Sequence, residues 1–197
     1  MRQDILAGLQ REVYRRCQSE SNRFGMGCYD HIAAVVRHGA LLAERYGADK
    51  EIVLIAAWLH DIASITDYSL YELHHIHGAE LAYDLLAAYG YPQDRIARVQ
   101  ACIRHHRGSV RLTNNTPEEV CVTDADAISH FDNIPGLFYL AFVTKGLNLE
   151  EGRTLVQKKL TRSFQKLSPE SARFYQSKWE AVMELLQTTG LPAVGAL

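Results

Sequence analysis

Histidine and aspartate recur in this chain where helical periodicity turns them inward: His31, the adjacent His60 and Asp61, His74, His106, and Asp124 or Asp126. A single histidine on an apolar helix face is more often a hydrogen-bonded core residue than a ligand. Here the residues come from five helical segments, each near a helix end or on an apolar stripe. Burying carboxylates among imidazoles is costly unless something cancels their charge, and a divalent cation does so while using both groups as ligands. Imidazole and carboxylate without thiolate suit manganese, iron, cobalt or zinc, whereas an all-oxygen cage would suit magnesium or calcium. Such an ion lowers the pKa of a bound water and offsets charge on a phosphoryl oxygen, so the chemistry invited is hydrolysis.

The elements that must position these residues are helices. From Tyr29 to Tyr46, Ile32, Val35, Val36, Leu42 and Ala43 form one stripe, and Gly47 supplies a left-handed stop. Asp49 is an N-cap for the next segment, in which Ile52, Ile55, Ala56, Leu59 and His60 share a face. Helices follow over about 74–89, ended by Gly90, and 92–106, opened by Pro92. In the second, Ile96, Val99, Ile103 and His106 share a stripe, and His105 points about 100° away. Thr116-Pro117-Glu118-Glu119 opens the helix carrying the two aspartates. A short apolar helix after Pro135 and amphipathic segments near 149–166 and 169–188, the last capped by Ser168, complete the chain. No stretch alternates like a strand, so the expected fold class is all-α, eight or nine helices in one domain over residues 1–197.

His31, then His60-Asp61 inside AAWLHDIAS, then Asp126 inside TDADAIS, stand in the order and helical context of an H…HD…D signature. In this the chain resembles the HD superfamily over about residues 29–143. The resemblance implies an HD-type helical bundle with the N- and C-terminal helices packed on it. It also implies that the four residues bind one metal ion, and that the reaction is cleavage of a phosphoester or phosphoanhydride bond. His74, four residues before Gly78-Ala79, and His106 in IRHHRG match places where binuclear members carry further ligands. One tight ion with a second, weaker one is the expected stoichiometry, and Asp61 is the expected catalytic carboxylate. Two departures from the family pattern matter. No HHExxDGxGYP run follows, which sets aside the cyclic-dinucleotide branch, and Ser64 stands where some nucleotidases have a glutamate. Asp67 in the following loop is the nearest replacement for an acid–base group.

For substrate phosphate, Arg107 and Arg111 follow His106 on a segment rich in Gly and Asn, where a guanidinium could bind in bidentate fashion. Lys145 is a third candidate. Asp124 is read as a residue that orients a ligand histidine, and His130, His75 and His77 as surface or supporting residues. With 197 residues, 47% hydrophobic and 22% charged, the chain can bury one good core. A net charge of −2 leaves no basic field for a nucleic-acid duplex, so the expected partner is a small phosphorylated substrate, a nucleotide foremost. A homodimer is left open. No apolar run is long enough for a bilayer, and the charged N-terminus is no secretory leader, so a cytoplasmic address is expected. The four cysteines make no metal-binding spacing and read as reduced core thiols. Two other readings stay open: a di-iron oxygenase on the same fold, and a nucleotide- or metal-binding regulatory module without turnover.

Overall fold

The structure, a computed structural model, describes residues 1–107 and 116–187. The described residues are all-α, with no strand among them. In α1 (Gln3–Cys17), Ile5, Leu9 and Val13 are buried at four-residue spacing, an amphipathic stripe. α2 (Gly27–Tyr46) stops at Gly47, whose φ of 64° is left-handed and whose N–H donates to the Ala43 carbonyl. Asp49 caps α3 (Lys50–Leu59), accepting from the Glu51 and Ile52 N–H groups. Every residue from Ile52 to Leu59 is buried, so α3 forms the centre against which α1, α2 and two later helices, Gln93–His105 and Pro117–Asp132, pack.

The helix through His60 does not continue. α3 ends at Leu59 and α4 (Ile62–Thr66) begins after Asp61, whose φ of −108° and ψ of 13° break the spiral. A 3-10 segment, Tyr68–Leu73, leads into α5 (His74–Ala88), and α6 (Gln93–His105) follows Pro92. Gly78 lets α5 approach closely: a Cβ there would lie 3.3 Å from Ile103 and 3.5 Å from the His60 carbonyl oxygen. α7 (Pro117–Asp132) is capped by Thr116 and α8 (Ile134–Tyr139) by Asn133, with a π-helical turn over Leu140–Thr144. α9 (Leu149–Lys166) opens with an Asn148–Glu151 capping box, and α10 (Pro169–Leu186) is capped by Ser168. Apart from α4 and α8, which are little more than single turns, there are eight helices of at least ten residues among the described residues. No helix among the described residues is long and apolar enough to cross a membrane.

One core joins α1–α7, and a smaller one forms around Phe131, Leu137, Val156 and Leu160, where α8–α10 meet the end of α7. Cys102 and Cys121 are buried, Cys17 and Cys28 face each other with sulfurs 3.1 Å apart, and all four thiols are free. Asp124 takes a role other than orienting a ligand histidine. Its carboxylate accepts from the Ser168 N–H at 2.9 Å and the Ser168 hydroxyl at 2.6 Å, fastening the α9–α10 junction to α7. Asp124→Ala is expected to cost about 2 kcal/mol, since hydrogen bonds to a buried charged acceptor carry more than neutral ones. Urea unfolding would measure it, and an unchanged midpoint would contradict the fastening role.

Candidate metal centre

Consecutive residues on a helix diverge by about 100°. Because the chain breaks at Asp61, His60 and Asp61 can face one centre between α2, α5, α6 and α7. His31 comes to it from the second turn of α2, His74 from the first residue of α5, His106 from the end of α6 and Asp126 from the middle of α7. Their ligand-capable atoms fall into two triads, His31, His60 and Asp126, and Asp61, His74 and His106. In the first, His31 Nε2 lies 3.2 Å from His60 Nε2 and 3.4 Å from Asp126 Oδ1. In the second, His74 Nε2 lies 3.0 Å from His106 Nε2. Asp61 stands between them: Oδ2 is 3.7 Å from His31 Nε2 and 3.5 Å from His60 Nε2, and Oδ1 is 3.4 Å from His74 Nε2 and 3.9 Å from His106 Nε2.

The other ring nitrogens reveal what these contacts are. His60, His74 and His106 each donate from Nδ1 to the carbonyl three residues earlier, Ala57, Tyr71 and Ile103, at 2.8, 2.7 and 2.6 Å. That places a proton on Nδ1, so in the neutral ring, the form that ligates a metal, Nε2 carries only a lone pair. His31 Nδ1 meets the Ser129 hydroxyl at 2.9 Å, and that hydroxyl donates to the Asp126 carbonyl at 2.7 Å. With Ser129 as donor to Asp126, His31 donates to Ser129, and its Nε2 is again a bare acceptor. Two pairs of imidazole lone pairs and two carboxylates therefore converge without a donor between the facing nitrogens. Like partial charges at 3.0–3.2 Å repel, and a cation at each pair removes the conflict, so the donor set fits a divalent metal. Ser64 lines the same cleft, its buried hydroxyl without a protein partner.

Electrostatics follow from this crowding. Burial opposes ionisation of Asp61, but His60, His74 and His31 outweigh it and hold the carboxyl well below the usual range. Burial opposes ionisation of Asp126 as well, and Lys166 chiefly holds its carboxyl low. Burial, reinforced by His60 and His74, pushes His106 down to about 3, and burial with Lys159 nearby pushes His130 well down. A histidine whose folded pKa lies below its unfolded value takes up a proton only on unfolding, so stability falls as pH drops. For metal-free protein the loss begins near pH 6.5 and for His106 continues toward about 3, at up to about 1.4 kcal/mol per pH unit. His130 adds to it in the same direction, and His60, whose burial is outweighed by Asp61 and Asp126 so that its pKa is raised, offsets part of it. Melting temperatures in chelator should decline from pH 6.5 to 5, and a flat profile there would contradict the neutral, buried state of both rings.

The donors lie at the floor of a cleft of about 730 Å³, a common size for a small-molecule site. The remaining sequence candidates are scattered. Arg107 lines the cleft and pairs with Glu72 at 3.3 Å. Lys145 lies in an adjoining cavity, and Arg111 falls outside the described residues. Asp67 is not among the cleft-lining residues; it is exposed, and its carboxylate caps the 3-10 segment by accepting from the Ser69 N–H at 2.8 Å. His105 turns away from the centre to Glu119, at 2.6 Å, and His38 pairs with Asp132, also at 2.6 Å.

Sequence reasoning left His130 to a surface or supporting role and assigned none to the cations of α9. His130 is buried, stacks on His31 with centroids 5.0 Å apart, meets Ser163 at 3.1 Å and has Nε2 3.8 Å from Asp126 Oδ1. Its position four residues after Asp126 places both on one helical face. Lys159, Arg162 and Lys166, spaced to share one face of α9, all line the cleft. The Lys166 ammonium donates to Asp126 Oδ2 and to the His106 carbonyl, touching a member of each triad.

Residues 28–130 match the family model of the HD domain, a stretch containing all six triad residues. No curated protein matches the chain. Among solved structures, Bacillus subtilis YpgQ superposes with a TM-score of 0.69 at 18% identity, covering 93% of this chain and 92% of that one. The same protein in complex with ADP gives 0.64 at 21%, covering 90% and 93%. A protein of an uncultured Thermotogales bacterium, described as a predicted HD superfamily hydrolase, gives 0.52 at 22%, covering 90% and 92%.

Proposed function

The chain belongs to the HD domain family, and on that premise we propose that it is a metal-dependent phosphohydrolase acting on a small phosphorylated metabolite, a nucleotide foremost. The observation that carries the reading is Asp61, with one oxygen toward each of two imidazole pairs that have only lone pairs to offer. His31, His60, Asp61 and Asp126 would hold one ion, and His74 and His106 with Asp61 a second, weaker one. A divalent ion supplies activation of water and offsets charge on the phosphoryl group. The mixed imidazole and carboxylate donors favour manganese, iron, cobalt or zinc.

The chain's own residues divide the rest. Arg107 stands at the cleft wall beside His106, where its guanidinium can leave Glu72 for a phosphate oxygen. Phe24 and Tyr71, with ring centroids 5.4 Å apart, line the same cleft and offer flat apolar surface to a base. The YpgQ structure with ADP supports a ligand of this kind. His130 is held neutral by its surroundings beside Asp126, and it replaces the solvent-facing Asp67 as the nearer group to move a proton. The test is hydrolysis of p-nitrophenyl phosphate, bis-p-nitrophenyl phosphate and a nucleotide panel with added manganese. Turnover that is undiminished under argon supports hydrolysis, turnover that needs dioxygen assigns oxygenase chemistry, and none with any substrate favours the binding module.

A further inference from the structure

The cleft over the metal donors continues past α9. A second cavity, of about 640 Å³, shares Tyr71, Leu140, Lys159 and Arg162 with the first as a common wall. Beyond that wall stand Lys145, just after the π-helical turn, and Lys158, one residue before Lys159 on α9. Two acids lie there as well, but Glu151 closes the capping box, its carboxylate accepting from the Asn148 N–H at 3.1 Å. Among the described residues no carboxylate reaches salt-bridge distance of Lys145, Lys158, Lys159 or Arg162, although Lys166, a turn further on, is bound to Asp126.

Cations gathered along one groove with no carboxylate at pairing distance repel one another, so the arrangement favours an outside negative charge. Burial, with Lys166 and Arg162 adding to it, outweighs the more distant Asp126 and Asp61 and pushes the Lys159 ammonium below its ordinary range. The reacting phosphate cannot supply that charge for the whole groove, because the donors hold it at the floor of the first cavity while Lys145 and Lys158 line only the second. We propose that the second cavity is an anion subsite, which accepts a second phosphate or carboxylate of an extended substrate whose first phosphate lies at the metal donors. Lys159 and Arg162 stand where the two groups meet, and Lys145 and Lys158 fix the distal one. The preferred substrates are thus bis-anionic, and simple monoesters are poor ones. This rests on the hydrolase reading for the fate of the first group, whereas capture of the second needs no turnover.

The test is calorimetric titration of the manganese-loaded protein with matched pairs: fructose 1,6-bisphosphate against fructose 6-phosphate, and 3-phosphoglycerate against glycerol 3-phosphate. At least one bis-anionic member should bind tenfold or more tightly than its partner, and the pair that does so identifies the distal group as phosphate or carboxylate. In Lys145→Ala/Lys158→Ala that preference should fall to within threefold, and Lys145→Glu should lower it on its own. Both lysines are exposed, so neither change removes core packing. Equal binding of both members of each pair, or a preference kept in the double variant, would overturn the subsite. If no substrate is hydrolysed and the preference holds, the hydrolase reading fails and the subsite stands. If p-nitrophenyl phosphate is hydrolysed without any preference, the reverse follows.

Discussion

Asp61→Ala is expected to abolish phosphohydrolase activity, lowering kcat/KM by on the order of 10³ or more, while leaving the fold intact. The argument is geometric. Among the described residues Asp61 is the one whose two oxygens face different imidazole pairs, His31 with His60 and His74 with His106. Removing it withdraws a donor from both triads and leaves four imidazoles facing one another without that negative charge. A loss of about 4 kcal/mol of transition-state stabilisation corresponds to that factor of a thousand. Asp61→Asn keeps the shape and removes the charge, so it should fail nearly as completely. The folded state should survive, because Asp61 sits at a helix break with about a quarter of its side chain exposed and forms no part of the apolar core. The measurement is turnover of bis-p-nitrophenyl phosphate with manganese, alongside circular dichroism of each variant. Wild-type turnover in Asp61→Ala would remove the centre from consideration as the active site.

The second large effect concerns ion number. Titration of chelated wild-type protein with manganese should resolve a tight site and a weaker one, and His74→Ala and His106→Ala should each leave only the tight site. The asymmetry has a physical source. The first triad brings two imidazoles, the Asp126 carboxylate and one oxygen of Asp61, whereas the second has two imidazoles and only the remaining Asp61 oxygen. One fewer negative donor means weaker attraction for a dication. His31→Ala should act differently, weakening the tight site itself. A single site in the wild type, unchanged by His74→Ala and His106→Ala, would assign those two histidines to packing. Two sites lost together in His106→Ala would mean that the ions bind as a unit.

Much of this centre is legible in the sequence because helical periodicity and helix ends are. The stripe of Ile96, Val99 and Ile103 turns His106 inward, and the 100° offset turns His105 toward Glu119. The same geometry separates Asp124 from Asp126 by about 200°, so the two cannot serve one centre, and Asp124 goes to Ser168 instead. What hides is whatever depends on which neighbour a face meets. His130 is buried because α9 brings Ser163 against it, and no local pattern announces that pairing from 33 residues away. The α9 cations read as a solvated face, since a stripe of Lys and Arg looks alike whether it borders water or a cleft. Asp67 shows the opposite error: nearness in sequence to Asp61 suggests chemistry, yet an aspartate two residues before a free N–H caps it first.

The fastening of Ser168 by Asp124 also bears on how such a protein diversifies. Within three residues α7 presents Asp126 to the donors and Asp124, from its other side, to the α9–α10 junction. The stretch matching the family ends at residue 130, and the cleft-lining cations of α9 come after it. The donors and the α9 cations therefore stand on separate lengths of chain, joined by the Asp124–Ser168, Asp126–Lys166 and His130–Ser163 contacts. Exchanging the later helices would change the charges a substrate meets, but any replacement must still offer Asp124 a hydroxyl and an amide, Asp126 a cation and His130 a hydroxyl.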